Sequence, residues 1–253
     1  MVEREVVIEL KDVWAGYNHV PVLEAVTLNV YRDDYLAILG PNGGGKTTLL
    51  RTILGLLKPW RGEVRVLGLP PEEARTRIGY VPQVAQFDRD FPISVWDVVL
   101  MGRLGRLSRF SRHSKDDIEA TRQALEAVEM LDFKDRHISD LSGGQKQRVF
   151  IARALATQPE ILLLDEPAAS LDRMVQQNLY DLLRELNSEI TIVMVTHDIG
   201  VISSYVKRVA CLNRRLVVHD EKGLTKEEIE GIYACPIDLI AHGVPHRVFG
   251  EHE

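Results

Sequence analysis

Cysteine is scarce in this 253-residue chain: Cys211 and Cys235 are the two present. That is too few for a disulfide framework and is more at ease in a reducing interior. No uncharged apolar run comes near the eighteen or so residues that a membrane span needs, so a membrane role is expected to come through a partner. The opening stretch, MVEREVVIELKD, is charged from its third residue and lacks the apolar core of a signal peptide. Positive charge is not in excess either. Lys and Arg number 31 against 37 Asp and Glu, a formal net charge of −6, which argues against a large nucleic-acid surface. Internal repeats and low-complexity segments are absent. What is there, 45% hydrophobic and 27% charged residues, describes a soluble globular chain long enough to bury a sizeable core.

The first third reads as strands separated by turns. EVVIEL and LEAVTLNV carry β-branched residues in rough alternation, and YLAILG is a short apolar run ending in glycine. After it, Leu49, Leu50, Ile53, Leu54 and Leu57 recur at helical spacing. GEVRVLG and RIGYVPQ read as two more short strands. From about residue 84 to 141 the texture turns helical, with capping patterns at Ser94-x-x-Asp97 and Ser114-x-x-Asp117. The second opens a helix through Ile118, Leu125 and Val128. Strand and helix then alternate again: PEILLLDEP, a helix through Leu179, Leu182, Leu183 and Leu186, and TIVMVTHD. This order predicts an α/β fold with a mostly parallel sheet, a β-rich N-terminal part and a helical subdomain inserted into the core.

GPNGGGKTT fits G-x-x-x-x-G-K-[ST] with Gly40, Gly45, Lys46 and Thr47, between a predicted strand and a predicted helix. That context marks a P-loop. Its backbone N–H groups, across Asn42, Gly43, Gly44 and Thr48 as well, turn toward phosphate oxygens, and the helix start adds positive potential. Lys46 is expected to reach the β- and γ-phosphates and Thr47 to ligate Mg²⁺. Asp165 and Glu166 end the apolar strand ILLLD. There Asp165 suits the Mg²⁺ shell and Glu166 suits polarising the attacking water. A strand ending in Asp-Glu is common in isolation; downstream of a P-loop it reads as chemistry.

LSGGQ, Leu141 to Gln145, settles the family resemblance. With it the chain resembles the ATPase subunits of ATP-binding cassette (ABC) transporters along essentially its whole length. The resemblance implies a P-loop NTPase core with a mostly parallel sheet, an N-terminal antiparallel β subdomain and an inserted α-helical subdomain. It divides the single domain into 1–83 with about 142–220 as the nucleotide-binding core, about 84–141 as the helical part, and about 221–253 as a C-terminal tail. It also implies ATP and Mg²⁺ as ligands and a head-to-tail homodimer, with Ser142, Gly143, Gly144 and Gln145 of one copy facing the P-loop of the other. By the same resemblance Tyr17 stacks on adenine and Gln83 joins the Mg²⁺ site. Asp172 in Ser170-Leu171-Asp172 crosses the dimer interface, and His197 contacts the γ-phosphate. Gly44 and Thr47 stand where many relatives have Ala and Ser, changes that keep size and hydroxyl, and EPAAS lacks a threonine common after Glu-Pro. Glu166, His197, Lys46 and Gln83 are thus the candidate catalytic set of an active ATPase.

Cargo is read from DFPISVWDVVLMGRLG, where Val95, Trp96, Val98, Val99, Leu100 and Met101 gather among few charges. About half of these are expected in the subdomain core. The others are expected to line a groove for a helix of a polytopic permease. The wording of this stretch and the PIDLIAHGVPHRVFGEHE ending resemble the zinc and manganese import branch. That implies a peripheral subunit on the cytoplasmic face of the cell membrane, served indirectly by an extracytoplasmic metal-binding protein. Iron-siderophore and cobalamin importers share much of the helical pattern, and soluble ABC ATPases acting on ribosomes or DNA form a different class. One P-loop, one signature, no long heptad run and an acidic balance favour the transporter and no nucleic-acid partner. Cys235, His242, His246 and His252 invite a metal-site reading. Gly243 and Pro245 break the one helical face that would align two of the histidines, so a solvated tail is expected.

Overall fold

The computed structural model describes residues 4–83, 92–106, 112–169, 171–197, 205–219, 238–240 and 246–248. Three antiparallel strands form the N-terminal sheet, in the order β2-β1-β4: β1 (Val6–Tyr17), β2 (Val20–Tyr31) and β4 (Arg61–Val66). Asn18 and His19 join β1 to β2 with φ of 50° and 61°. Two consecutive positive φ values are what a tight two-residue hairpin demands, and they place Tyr17 at the very tip, opposite Val20.

The second sheet has the order β5-β6-β7-β3-β8-β9. It comprises β3 (Tyr35–Leu39), β5 (Ile78–Val81), β6 (Ile161–Asp165), β7 (Thr191–Thr196), β8 (Arg208–Asn213) and β9 (Arg215–His219). All neighbours are parallel except β9, which returns antiparallel to β8. Every residue of β3, β6 and β7 is buried, as expected for strands covered on both faces. Alternate residues feed two cores. Leu36, Ile38, Leu163 and Val195 pack with the N-terminal sheet and with Leu49, Leu50 and Ile53 of α1 (Lys46–Ile53). Ala37, Leu39, Leu164 and Met194 pack on the other side with α5 (Gly143–Leu155) and α6 (Arg173–Leu186).

The helical region adds α3 (Val95–Leu100) and α4 (Lys115–Ala127) against α5, and a single turn, α2 (Pro71–Ala74), precedes β5. Val95, Val98 and Val99 are fully buried, while Met101 is 41% exposed, so half of the six apolar residues do enter the core. Ile118 lies on α4 as expected, but at its surface. It is 43% exposed although Leu125 and Val128 of the same periodic set are buried. Next to Ile118 stands a charged anchor: Arg103 donates through Nε to Asp117 Oδ1 at 2.7 Å, with both side chains buried. Its Nη1 reaches the Ala156 carbonyl at 2.9 Å and Gln158 at 3.2 Å, stitching the subdomain to the end of α5. A fully paired buried charge of this kind is tolerated where an orphan would not be.

Beyond β9 the backbone of β10 (Asp238–Ile240) pairs antiparallel with β11 (His246–Val248). Cys235, His242 and His252 lie outside the described residues, as do Ser170 and the first part of the DFPISVWDVV stretch.

Candidate functional site

Strands β6, β7 and β3 are neighbours, so their C-terminal ends bring the P-loop, Asp165-Glu166 and His197 to one edge of the sheet. The P-loop is held from behind by the β8–β9 turn. A Cβ on Gly40 would sit 2.0 Å from the Leu212 carbonyl oxygen, so only glycine lets β8 approach this closely. Arg214 N donates to the Gly44 carbonyl at 3.0 Å. Sequence reasoning missed this brace because Leu212 and Arg214 act through backbone atoms. At the start of α1 Gly45 is the N-cap and offers no side-chain acceptor, so the first N–H groups stay available to an anion. Asn42 and Gly43 are exposed and Thr47 half-buried. The Thr48 side chain is buried, which leaves its backbone N–H as its contribution to the loop.

Lys46 is only 6% exposed, and its Nζ donates to the carbonyls of Gly40 at 2.9 Å and Pro41 at 3.1 Å. It also pairs with Glu166 Oε1 at 3.1 Å. The other oxygen, Oε2, accepts from Gln83 Nε2 at 2.9 Å and lies 3.2 Å from His197 Nδ1. All four candidate catalytic residues therefore meet on one buried carboxylate. Glu166 itself has φ of 48°, a strained value for a non-glycine residue. It is held there by its N–H bonding to Val195 and by its carbonyl accepting from Ala169.

Asp165 is buried, and its Oδ1 has no hydrogen-bond partner among the described residues. Its Oδ2 meets the Tyr80 hydroxyl at 3.5 Å. Burial pushes its pKa up, and the hydrogen bond from Thr47 and the charge of Lys46 partly offset this. A buried carboxylate oxygen left unmatched beside a hydroxyl is a donor set for a hard divalent cation. Tyr80 was not read from the sequence. Its own phenol is pushed up to about 12, by burial first and then by the charge of Asp165.

At the start of α5 Ser142 is the N-cap of a complete capping box. Gln145 N donates to Ser142 Oγ at 3.3 Å, and Ser142 N donates to Gln145 Oε1 at 3.0 Å. A Cβ on Gly144 would fall 2.4 Å from Val175 Cγ1 of α6, so glycine is required for these helices to touch. Asp172 caps α6 by accepting from Val175 N at 3.1 Å. Among the described residues Ser142, Gly143, Gly144, Gln145 and Asp172 share no hydrogen bond or ion pair with the P-loop of their own chain. Tyr17 is 41% exposed.

Comparison with known proteins gives this geometry its context. Residues 23–169 match the family model described as ABC transporter. The high-affinity zinc uptake system ATP-binding protein ZnuC of Bacillus subtilis is 40% identical, covering 82% of this chain and 91% of that one. The manganese transport system ATP-binding protein MntB of the same organism is 41% identical over 89% and 92%. Among solved structures, the dimeric cassette MJ0796 superposes with a TM-score of 0.69 at 31% identity, covering 83% of this chain and 96% of that one. The chain belongs to the ABC transporter family, as an ATP-binding subunit that hydrolyses ATP.

Proposed function

We propose that this chain hydrolyses Mg-ATP as a head-to-tail homodimer and thereby drives uptake of a divalent metal ion, zinc or manganese, through polytopic permease subunits. The observation that carries the chemistry is the convergence of Lys46, Gln83 and His197 on the Glu166 carboxylate. Three groups suited to bind a terminal phosphate are gathered there on an internal anion. With ATP in place, Lys46 exchanges Glu166 for β- and γ-phosphate oxygens. The released carboxylate then accepts a proton from the attacking water, while His197 faces the γ-phosphate. Thr47, Asp165 and Gln83 would hold Mg²⁺, which supplies charge neutralisation between the β- and γ-phosphates. Tyr17 supplies the adenine platform. Ser142 to Gln145 and Asp172 of the second copy complete the site. Support for a role in trans comes from their sharing no hydrogen bond or ion pair with their own P-loop among the described residues, and from a relative described as dimeric.

The cargo reading rests on relatives named for zinc uptake and for manganese transport, two metals of equal charge. Met101 and Leu104, 41% and 55% exposed beside the buried Arg103 anchor, offer an apolar surface to a permease helix. Among the described residues no helix is long and apolar enough to cross a membrane. The proposed place of the chain is the cytoplasmic face of the cell membrane, with an extracytoplasmic metal-binding protein delivering cargo from the other side.

Uptake of radiolabelled zinc and manganese, measured in cells with and without the intact gene, tests this. One of the two uptakes should disappear on deletion and stay absent when Glu166→Gln is supplied. If both persist while ferric-siderophore or cobalamin uptake is lost, the cargo assignment is wrong and the ATPase assignment stands.

A further inference from the structure

The phenol of Tyr17 is tethered. Arg51 Nη1 donates a hydrogen bond of 3.2 Å to its hydroxyl oxygen, across 34 positions of chain. Arg51 lies on α1 one turn after Thr47, on the same helical face. The hydrogen bond to Tyr17 is the first cause of the raised pKa of its guanidinium. Among the described residues the Arg51 guanidinium makes no ion pair with a carboxylate, and the Tyr17 hydroxyl is its one hydrogen-bond partner. The tyrosine ring, 41% exposed, keeps an open face while its oxygen is fixed to the helix that starts at the P-loop.

We infer that Arg51 is a positioning residue for the nucleotide base: it holds the Tyr17 ring at a fixed height over α1, matching the stacking surface to the phosphates gripped at the start of the same helix. The inference rests on the reading of Tyr17 as the adenine platform. Without the tether, the side-chain freedom of Tyr17 has to be surrendered when the base binds. One solvent-exposed hydrogen bond of this kind corresponds to a loss of about threefold to tenfold in affinity.

Calorimetric titration of the full-length chain with ATP and with inorganic tripolyphosphate, which has no base, tests this. The variants are Arg51→Met, Tyr17→Phe, the two combined, and Tyr17→Ala. Arg51→Met and Tyr17→Phe should each weaken ATP by about threefold to tenfold. The combined variant should be no weaker than either alone, and tripolyphosphate should bind all of them as it binds the original chain. Additive losses overturn the inference, as does an equal loss for tripolyphosphate, which would make Arg51 a phosphate or helix residue. Tyr17→Ala separates the two layers. Unchanged ATP affinity there removes the platform and the inference together, whereas a large loss there with none in Arg51→Met overturns the tether alone.

Discussion

Two helix starts in this molecule are candidates for the same anion, and they are built in opposite ways. At α1 the N-cap is Gly45 with no side-chain acceptor, and a buried lysine, paired with a carboxylate, stands next to it. At α5 Ser142 and Gln145 satisfy one another's backbone N–H groups, and among the described residues no ion pair involves Ser142, Gly143, Gly144 or Gln145. The first start is an open donor array that carries its own cation. The second is closed by its own side chains and offers little unless a phosphate already stands in front of it. A chain with one start of each kind has reason to pair with a second copy.

The largest effect is expected from blocking the closed start. Ser142→Arg should leave nucleotide binding to the monomer intact and reduce hydrolysis to background; a steady-state ATPase assay showing normal turnover would end the idea of a shared site. On the open side, Glu166→Gln should slow turnover by about 10²- to 10⁴-fold, the range of a lost general base. Nucleotide binding should be retained and an ATP-bound dimer should accumulate, visible by size-exclusion chromatography with ATP.

A third helix start shows what a capping box does without a functional duty. Ser114 and Asp117 cap α4 reciprocally, and the Ser114 backbone N–H first, then the Arg103 guanidinium, hold the Asp117 carboxyl down at about 2. Because the folded value lies below the ordinary aspartate value of about 3.9, this contribution is present above about pH 4 and fades as pH falls toward 2. Asp117→Asn strands the buried Arg103 and should cost about 3–5 kcal/mol at neutral pH, with ATP affinity unchanged. Its denaturation midpoint should also fall less than that of the original chain between pH 5 and 2. The smallest effect belongs to Gln145→Ala, which opens one side of the α5 box. It should cost about 0.5–1 kcal/mol by thermal melting, and a larger drop would mean that the box braces more than its own helix.

The strands and most helices were legible because their apolar periodicity is undisturbed, and the P-loop and Asp165-Glu166 because their chemistry admits few residue types. Other features were hidden for physical reasons. Arg103 looks like any surface arginine, since hydropathy cannot show that Asp117, Ala156 and Gln158 will surround it. Ile118 fits the periodic set of α4 but is left exposed, because a one-dimensional pattern does not say where the neighbouring helices stop. The tether from Arg51 to Tyr17 joins residues 34 positions apart, a distance no local pattern reports. The β10–β11 pairing was not read from the sequence, because two three-residue strands are too short to show an alternating pattern.

The seat of Glu166 on Lys46 has a consequence for how the protein responds to its cell. On the proposed reading of Lys46 as a phosphate ligand, nucleotide has to compete with Glu166 for that lysine, and the measured dissociation constant would be the intrinsic one divided by the fraction of molecules in which the pair is open. The nucleotide level at which the subunit begins to work would then depend on an ion pair within the chain as well as on the contacts that ATP makes. Changing the strength of that pair would move the threshold without altering a single group that touches the base.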